Sequence, residues 1–427
     1  MDISKIIQIL DKWNFWSQNI KTGFKREYYL DKLKKYLSIP EIITLTGVRR
    51  SGKSTIVLQV IEYLINTKKV PKHNTLYINF EEPFAGQELN LEFLIKTYEA
   101  YLEFFNPKGK IYLFLDEIQL IKNWEKFVAS LYDRKENIKI FIAGSSAKLL
   151  NTEISTLLSG RYISETIYPL SFKEFLDFKK INYQPLIRDT KIFNYLREYL
   201  KFGGFPRVIM EKDEHIKNVV LLEYFNSILE RDIILRNKIK NIPSIKEVIN
   251  YSLSNISTQV STYHFEKYFS IASQNTKRYF EYLEDAFLLQ FVPFFSYSVK
   301  KQIYNSKKVM AIDVGLVNVV SFMFKDDFAK LLENIVFLKL IHQKHKPYYW
   351  RNGTEIDFIL RTGHKVSRLI NVCYNLENKN TMQREISSLE KGLAEFPGAK
   401  GEIIYWQGEE TKHSKIKFIN ILDFLLN

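Results

Sequence analysis

The run GVRRSGKS at positions 47–54 constrains this chain more than any other feature. It fits G-x-x-x-x-G-K-[ST] in full, and its flanks are the ones that give the pattern meaning. The β-rich stretch EIITLTG (41–47) precedes it. A helical stretch from about 53 to 66 follows, with Ile56, Val57, Val60, Ile61, Leu64 and Ile65 as its apolar stripe. Glycines at 47 and 52 let the backbone curl so that its N–H groups point inward. The positive end of the helix then adds to an anion cradle of phosphate size. The expected ligands are ATP and Mg2+. Gly47, Val48, Arg49, Arg50, Ser51, Gly52, Lys53, Ser54 and Thr55 would line the nucleotide, Lys53 reaching the β- and γ-phosphates and Ser54 ligating the metal. Arg49 and Arg50 could equally meet phosphate or a neighbouring acid.

Further strands belong to the same pattern. TLYINFEEP (75–83), closed by Pro83, is one; IYLFLDE (111–117) and IKIFIAGSS (138–146) are continuous apolar strands of the kind buried on both faces. A helical stretch around 91–105 separates the first two, and ISETIYPL (163–170) is the last candidate. Strands alternating with helices predict a parallel sheet wrapped on both sides. LFLDE (113–117) delivers Asp116 to the strand's C-terminal edge, where it can hold Mg2+ through water, and Glu117 can orient or deprotonate an attacking water. Ser145, at the next strand end, can touch the γ-phosphate or that water; a simple helix cap is the alternative. Arg161, in LLSGRY, is either a transition-state finger presented to a neighbouring subunit of a homo-oligomer or an ordinary surface arginine.

A chain of 427 residues exceeds one ordinary core, so two or three domains are expected. A hydrophobic share of 46% against 26% charged excludes a disordered chain. The net charge of +14 favours a polyanionic partner, with a lysine-solvated surface as the competing explanation. One cysteine, Cys373, rules out an internal disulfide and fits a reducing cytoplasm. Residues 1–40 read as helical, with Ile6, Ile7, Leu10 and Trp13 at helical spacing, and the N-terminal MDISKIIQILDKWNFW lacks a signal peptide's uninterrupted apolar stretch. No run approaches the ~18 apolar residues of a spanning helix, so a soluble cytoplasmic protein is expected.

These motifs in this order resemble a family of prokaryotic, archaeal-type AAA-like P-loop ATPases with a nuclease-like C-terminal domain. The carrying residues are GVRRSGKST (47–55), YINFEEP (77–83), LFLDEIQ (113–119), AGSSAKLL (143–150), LLSGRY (157–162), YPLSFKEFL (168–176) and GGFP (203–206). LEDAFLL (283–289), VMAIDVGL (309–316), LEN (332–334) and YYWRNGTEIDF (348–358) continue it. The resemblance implies ATP binding, hydrolysis and a cytoplasmic setting.

The expected fold class is α/β: a P-loop NTPase parallel sheet flanked by helices over 1–170, a helical and winged-helix region over 171–325, and a restriction-endonuclease-like α/β domain over 326–427. TYHFEKYFSIASQNTKRYFEYLEDAFLL reads as a helix-turn-helix whose second helix is Thr276–Phe287, with Lys277 and Arg278 outward. The hairpin after it would present Lys300, Lys301, Lys307 and Lys308 as a basic wing for duplex DNA, although Glu281, Glu284 and Asp285 on the helix oppose phosphate. In the C-terminal domain the resemblance puts Glu333 and Asp357, with Glu355 alongside, at the acidic metal positions. Its Glu-x-Lys position reads Asn371-Val372-Cys373, which supplies neither acid nor cation, and Lys379 only lies nearby in sequence. The domain therefore reads as non-cutting and kept for binding or scaffolding.

Overall fold

Along the apolar strands, neighbouring side chains point to opposite faces, so a run without polar interruptions needs cover on both. The computed structural model describes residues 2–82, 88–134, 137–146, 157–183, 190–321, 328–409 and 413–427. Pro83 and residues 147–150 of the quoted motifs lie outside them. Two compact units emerge, Met1–Ile167 and Tyr168–Asn427.

In the first unit, β1 (Ile42–Thr46), β2 (Thr75–Asn79), β3 (Ile111–Asp116), β4 (Ile138–Ala143) and β5 (Tyr162–Thr166) form a parallel sheet in the order β2-β3-β4-β1-β5. Ile43, Leu45, Tyr77, Phe114 and Phe141 face the helices Glu27–Tyr36 and Lys53–Asn66. Ile42, Leu76, Ile78, Leu113, Leu115 and Ile140 face the helices Ile3–Asp11, Leu91–Phe105 and Trp124–Asp133. This is the wrapped parallel sheet of a P-loop NTPase. The helical reading of residues 1–40 is corrected in one respect, since two helices with an irregular stretch between them occupy it. That stretch has a task. The Asn14 amide donates to the Tyr77 carbonyl at 2.8 Å and accepts from the Tyr77 N–H at 2.8 Å, satisfying the backbone of edge strand β2.

The second unit holds two sheets. β6 (Gln259–Val260), β7 (Leu289–Val292) and β8 (Lys307–Ala311) pair antiparallel in the order β6-β8-β7, beside the helices Thr262–Phe269 and Ser273–Asp285. β9 (Tyr348–Asn352), β10 (Thr354–Thr362), β11 (Lys365–Asn375), β12 (Lys400–Gln407) and β13 (Ile416–Asn420) form a mixed sheet, antiparallel from β9 to β11 and parallel from β11 to β13. The Asn352-Gly353 signal is indeed a hairpin turn, with Gly353 at φ 72°.

Two motifs prove to be halves of one bracket. Asp313 of VMAIDVGL is fully buried and accepts from the backbone N–H of Gly204 (2.7 Å), Gly315 (2.9 Å) and Leu316 (3.3 Å). A Cβ at Gly203 would lie 2.0 Å from its Oδ1, so GGFP is glycine where the carboxylate must pass. Burial pushes the Asp313 carboxyl up to about 7, against the pull of those donors. Because folding raises this proton affinity, its contribution to stability is full below about pH 4 and declines as pH rises through the folded value. Asp313→Asn would turn an amide donor toward a backbone N–H at a cost of about 2 kcal/mol. Urea unfolding at several pH values should show the lower stability and a flatter pH profile; a variant as stable as wild type refutes the bracket.

Candidate functional site

The phosphate loop joins β1 to the helix Lys53–Asn66. Gly47 has φ 140°, and a Cβ there would sit 2.1 Å from the Ile167 carbonyl oxygen. Gly52 has φ 98° and occupies the helix N-cap without giving a side-chain cap, so the first-turn amides keep their hydrogen-bonding capacity for an anion. Lys53, 4% exposed, donates to the Gly47 and Val48 carbonyls at 3.0 and 3.1 Å. The Ser51 hydroxyl is buried without a hydrogen-bond partner. A loop of uncapped amides with a lysine folded over it fits a triphosphate, and the neighbouring hydroxyl and carboxylate below fit a hard divalent cation.

Val48 is buried and can offer only its backbone, whereas Arg50, at φ 68°, and Thr55 are exposed. Arg49 pairs with Glu81, a neighbouring acid. Arg26 was not anticipated. It is buried, stands 4.5 Å over the Tyr29 ring and donates to the Ser51 carbonyl at 3.1 Å, bracing the loop from behind. No spacing rule links positions 26 and 51.

Asp116 and Glu117 stand at the C-terminal end of β3, the edge from which the loop also leaves β1. Asp116 Oδ2 accepts from the Tyr77 hydroxyl at 2.7 Å and Oδ1 from the Glu117 N–H at 3.1 Å. Glu117 sits at φ 53°, a left-handed conformation that costs energy for a residue with a Cβ. Its Oε2 accepts from Gln119 Nε2 and from the Ser145 hydroxyl, the latter at 3.3 Å. Burial raises the Glu117 proton affinity while the Lys53 charge opposes it. That combination moves a carboxyl toward the range of a working general base. Lys53, Ser54, Asp116, Glu117 and Ser145 are thus gathered at one sheet edge. Gln119, inside the quoted motif LFLDEIQ, was given no role by sequence reasoning.

Arg161 does not join them. Its carbonyl accepts from the Ile42 N–H at 2.9 Å, at the start of β1, so it lies at the opposite edge of the parallel sheet. Its guanidinium pairs with Asp133 at 2.7 Å.

The wing lysines require correction. β7 and β8 are joined through a short helix, Val299–Tyr304, that carries exposed Lys300 and Lys301. Lys308, by contrast, is fully buried, with Nζ 2.8 Å from Glu333, 2.6 Å from Glu355 and 3.1 Å from Asp357. Gln259 donates to the other Glu355 oxygen at 2.8 Å. Burial works against the ammonium, yet the three carboxylates hold its proton affinity well above the ordinary value. Burial and the neighbouring Asp357 push Glu333 up to about 8. Lys308 on β8 thus brings these three acids a cation from the small antiparallel sheet. Asn371 donates to Glu385 and Ser388, both at 2.7 Å, and Lys379 is exposed on the helix Lys379–Glu395.

Among the described residues no helix is long and apolar enough to cross a membrane. Residues 40–176 match the family model of an AAA domain, and residues 194–327 match a domain of unknown function, DUF8612. The uncharacterized protein MJ1544 of Methanocaldococcus jannaschii is 37% identical over 83% of this chain and 79% of its own length. An uncharacterized protein of Haemophilus influenzae is 33% identical over 81% of this chain and 86% of its own. Among solved structures, the Aeropyrum pernix ORC1 protein in complex with DNA aligns at TM-score 0.33 and 14% identity over 69% of this chain and 91% of that one, too weak a likeness to carry weight. With relatives at 37% and 33% identity matched over 79% and 86% of their own lengths, the chain belongs to the family of these Methanocaldococcus and Haemophilus proteins and carries an AAA domain over residues 40–176.

Proposed function

We propose that this chain is a magnesium-dependent ATPase whose nucleotide state controls a winged-helix and nuclease-like C-terminal region associated with duplex DNA. The observation that carries the catalytic part is Glu117, a buried carboxylate of raised proton affinity held by Ser145 beside the Lys53 loop. Magnesium, when bound, would supply positive charge against the phosphates. Ser54 and Asp116 would hold it. Lys53 leaves the Gly47 and Val48 carbonyls to meet the phosphates. Glu117 orients the attacking water and takes its proton, and Ser145 and Gln119 fix the carboxylate while it does so. Arg161, at the far edge of the sheet, could act only on a neighbouring subunit's nucleotide in a homo-oligomer.

The DNA part rests on the charge of +14 and on exposed Lys277, Arg278, Lys300 and Lys301. A second reading, in which the region engages a protein, is favoured by the apolar side chains around two of those lysines. Tyr297, Val299, Ile303 and Tyr304 are between 67% and 79% exposed. Phosphate release measured with and without duplex DNA separates the readings. Several-fold acceleration supports DNA association, and an unchanged rate supports the protein partner. In the same assay Glu117→Gln should lower turnover about 100- to 10,000-fold, and the acid limb of the wild-type pH profile should lie above the ordinary carboxylate range of about 4.3. Equal turnover in the variant would sink the catalytic assignment.

A further inference from the structure

The two side chains suited to the metal come from separate elements, Ser54 from the helix after the loop and Asp116 from the end of β3. One buried hydroxyl bridges from the neighbouring strand to the second of them. Tyr77 of β2 is 1% exposed and donates to Asp116 Oδ2 at 2.7 Å. We propose that Tyr77 is a positioning residue of the metal-binding Asp116, its hydroxyl hydrogen bond fixing how the carboxylate faces the cation. The inference deepens the ATPase reading and rests on it.

Hydrogen-bond capacity sets the direction of the bond. A carboxylate only accepts, so the phenol must donate to Asp116. Asp116 is pinned on both oxygens, by Tyr77 and by the Glu117 N–H, with an acceptor site left on each.

The ring itself is held firmly. It packs among Ile43, Ile56, Val57, Phe114 and Phe141, and Asn14 clamps its backbone on both sides. A hydroxyl so fixed can orient the Asp116 carboxylate at little entropic expense. Outer partners of this kind typically change metal affinity about 10- to 100-fold when removed.

The test is Tyr77→Phe, which keeps the ring and deletes the bridge. A fluorescent ADP analogue is titrated onto full-length protein in EDTA and then with increasing Mg2+, and Mn2+ binding is followed by electron paramagnetic resonance. The expected result is unchanged nucleotide affinity in EDTA with Mg2+ and Mn2+ half-saturation raised about tenfold or more. The same cation dependence in variant and wild type overturns the proposal. So does a loss of nucleotide affinity that is equal with and without metal, since that marks a merely structural residue. Should Tyr77→Phe fold poorly, Tyr77→Met replaces it in a cycle with Asp116→Asn. Non-additive effects on Mn2+ binding support the positioning role, and additive ones overturn it. A wild-type chain that binds no nucleotide fails at the ATPase reading instead, before Tyr77 is tested.

Discussion

Lys53→Ala is expected to lower ATP turnover about 100- to 1,000-fold, or roughly 3–4 kcal/mol of transition-state stabilisation. The ammonium is the one mobile charge of the loop, and the backbone amides around it cannot follow the phosphate charge as it redistributes. Its removal has a second, smaller effect. Lys53 is buried and donates to the Gly47 and Val48 carbonyls, so alanine leaves both without that partner at about 1–2 kcal/mol of stability. The two effects must be read separately. Turnover comes from phosphate release, affinity from calorimetry with Mg-ATP, and folding from a urea titration without nucleotide. A folded Lys53→Ala protein that still hydrolyses ATP at the wild-type rate would remove the basis for the proposed site.

Lys308→Met should produce the largest loss of stability available from one substitution, about 3–5 kcal/mol. The side chain is fully buried and touches three carboxylates at 2.6 to 3.1 Å. Methionine fills the volume but strands Glu333, Glu355 and Asp357 beside one another without a counter-charge. Those groups can then escape only by taking up protons, so the variant should recover stability as pH falls. Adding Glu333→Gln to Lys308→Met should restore part of the loss at neutral pH. Denaturant midpoints of the single and double variants check both statements; a loss under about 1 kcal/mol would mean the quartet is not the tie it resembles.

The first unit was legible because its information is local. The GVRRSGKS loop, the stripe from Ile56 to Leu64 and the strand ending in Asp116 each declare themselves within a dozen residues, and helix and strand periods confirm them. What escaped notice depends on distance along the chain. Arg26 bracing Ser51, Asn14 clamping Tyr77 and Tyr77 reaching Asp116 all join segments that no periodicity connects. Lys308 was misassigned for a related reason. Lysine in KKV at a hairpin is ordinarily solvated, and only the positions of Glu333, Glu355 and Asp357 make its burial tolerable. Gly203 and Gly204 were visible as a motif, but their reason is Asp313, 109 residues beyond Gly204.

The Lys308 quartet also bears on where this chain can be divided. A fragment opening at Phe328 would carry Glu333, Glu355 and Asp357 but not the ammonium from β8, nor the Gln259 amide from β6. Expressed alone it would inherit an uncompensated negative centre. Residues from β6 onward therefore form the smallest inheritable block, and any shuffling of the mixed sheet between proteins has to carry the small antiparallel sheet with it.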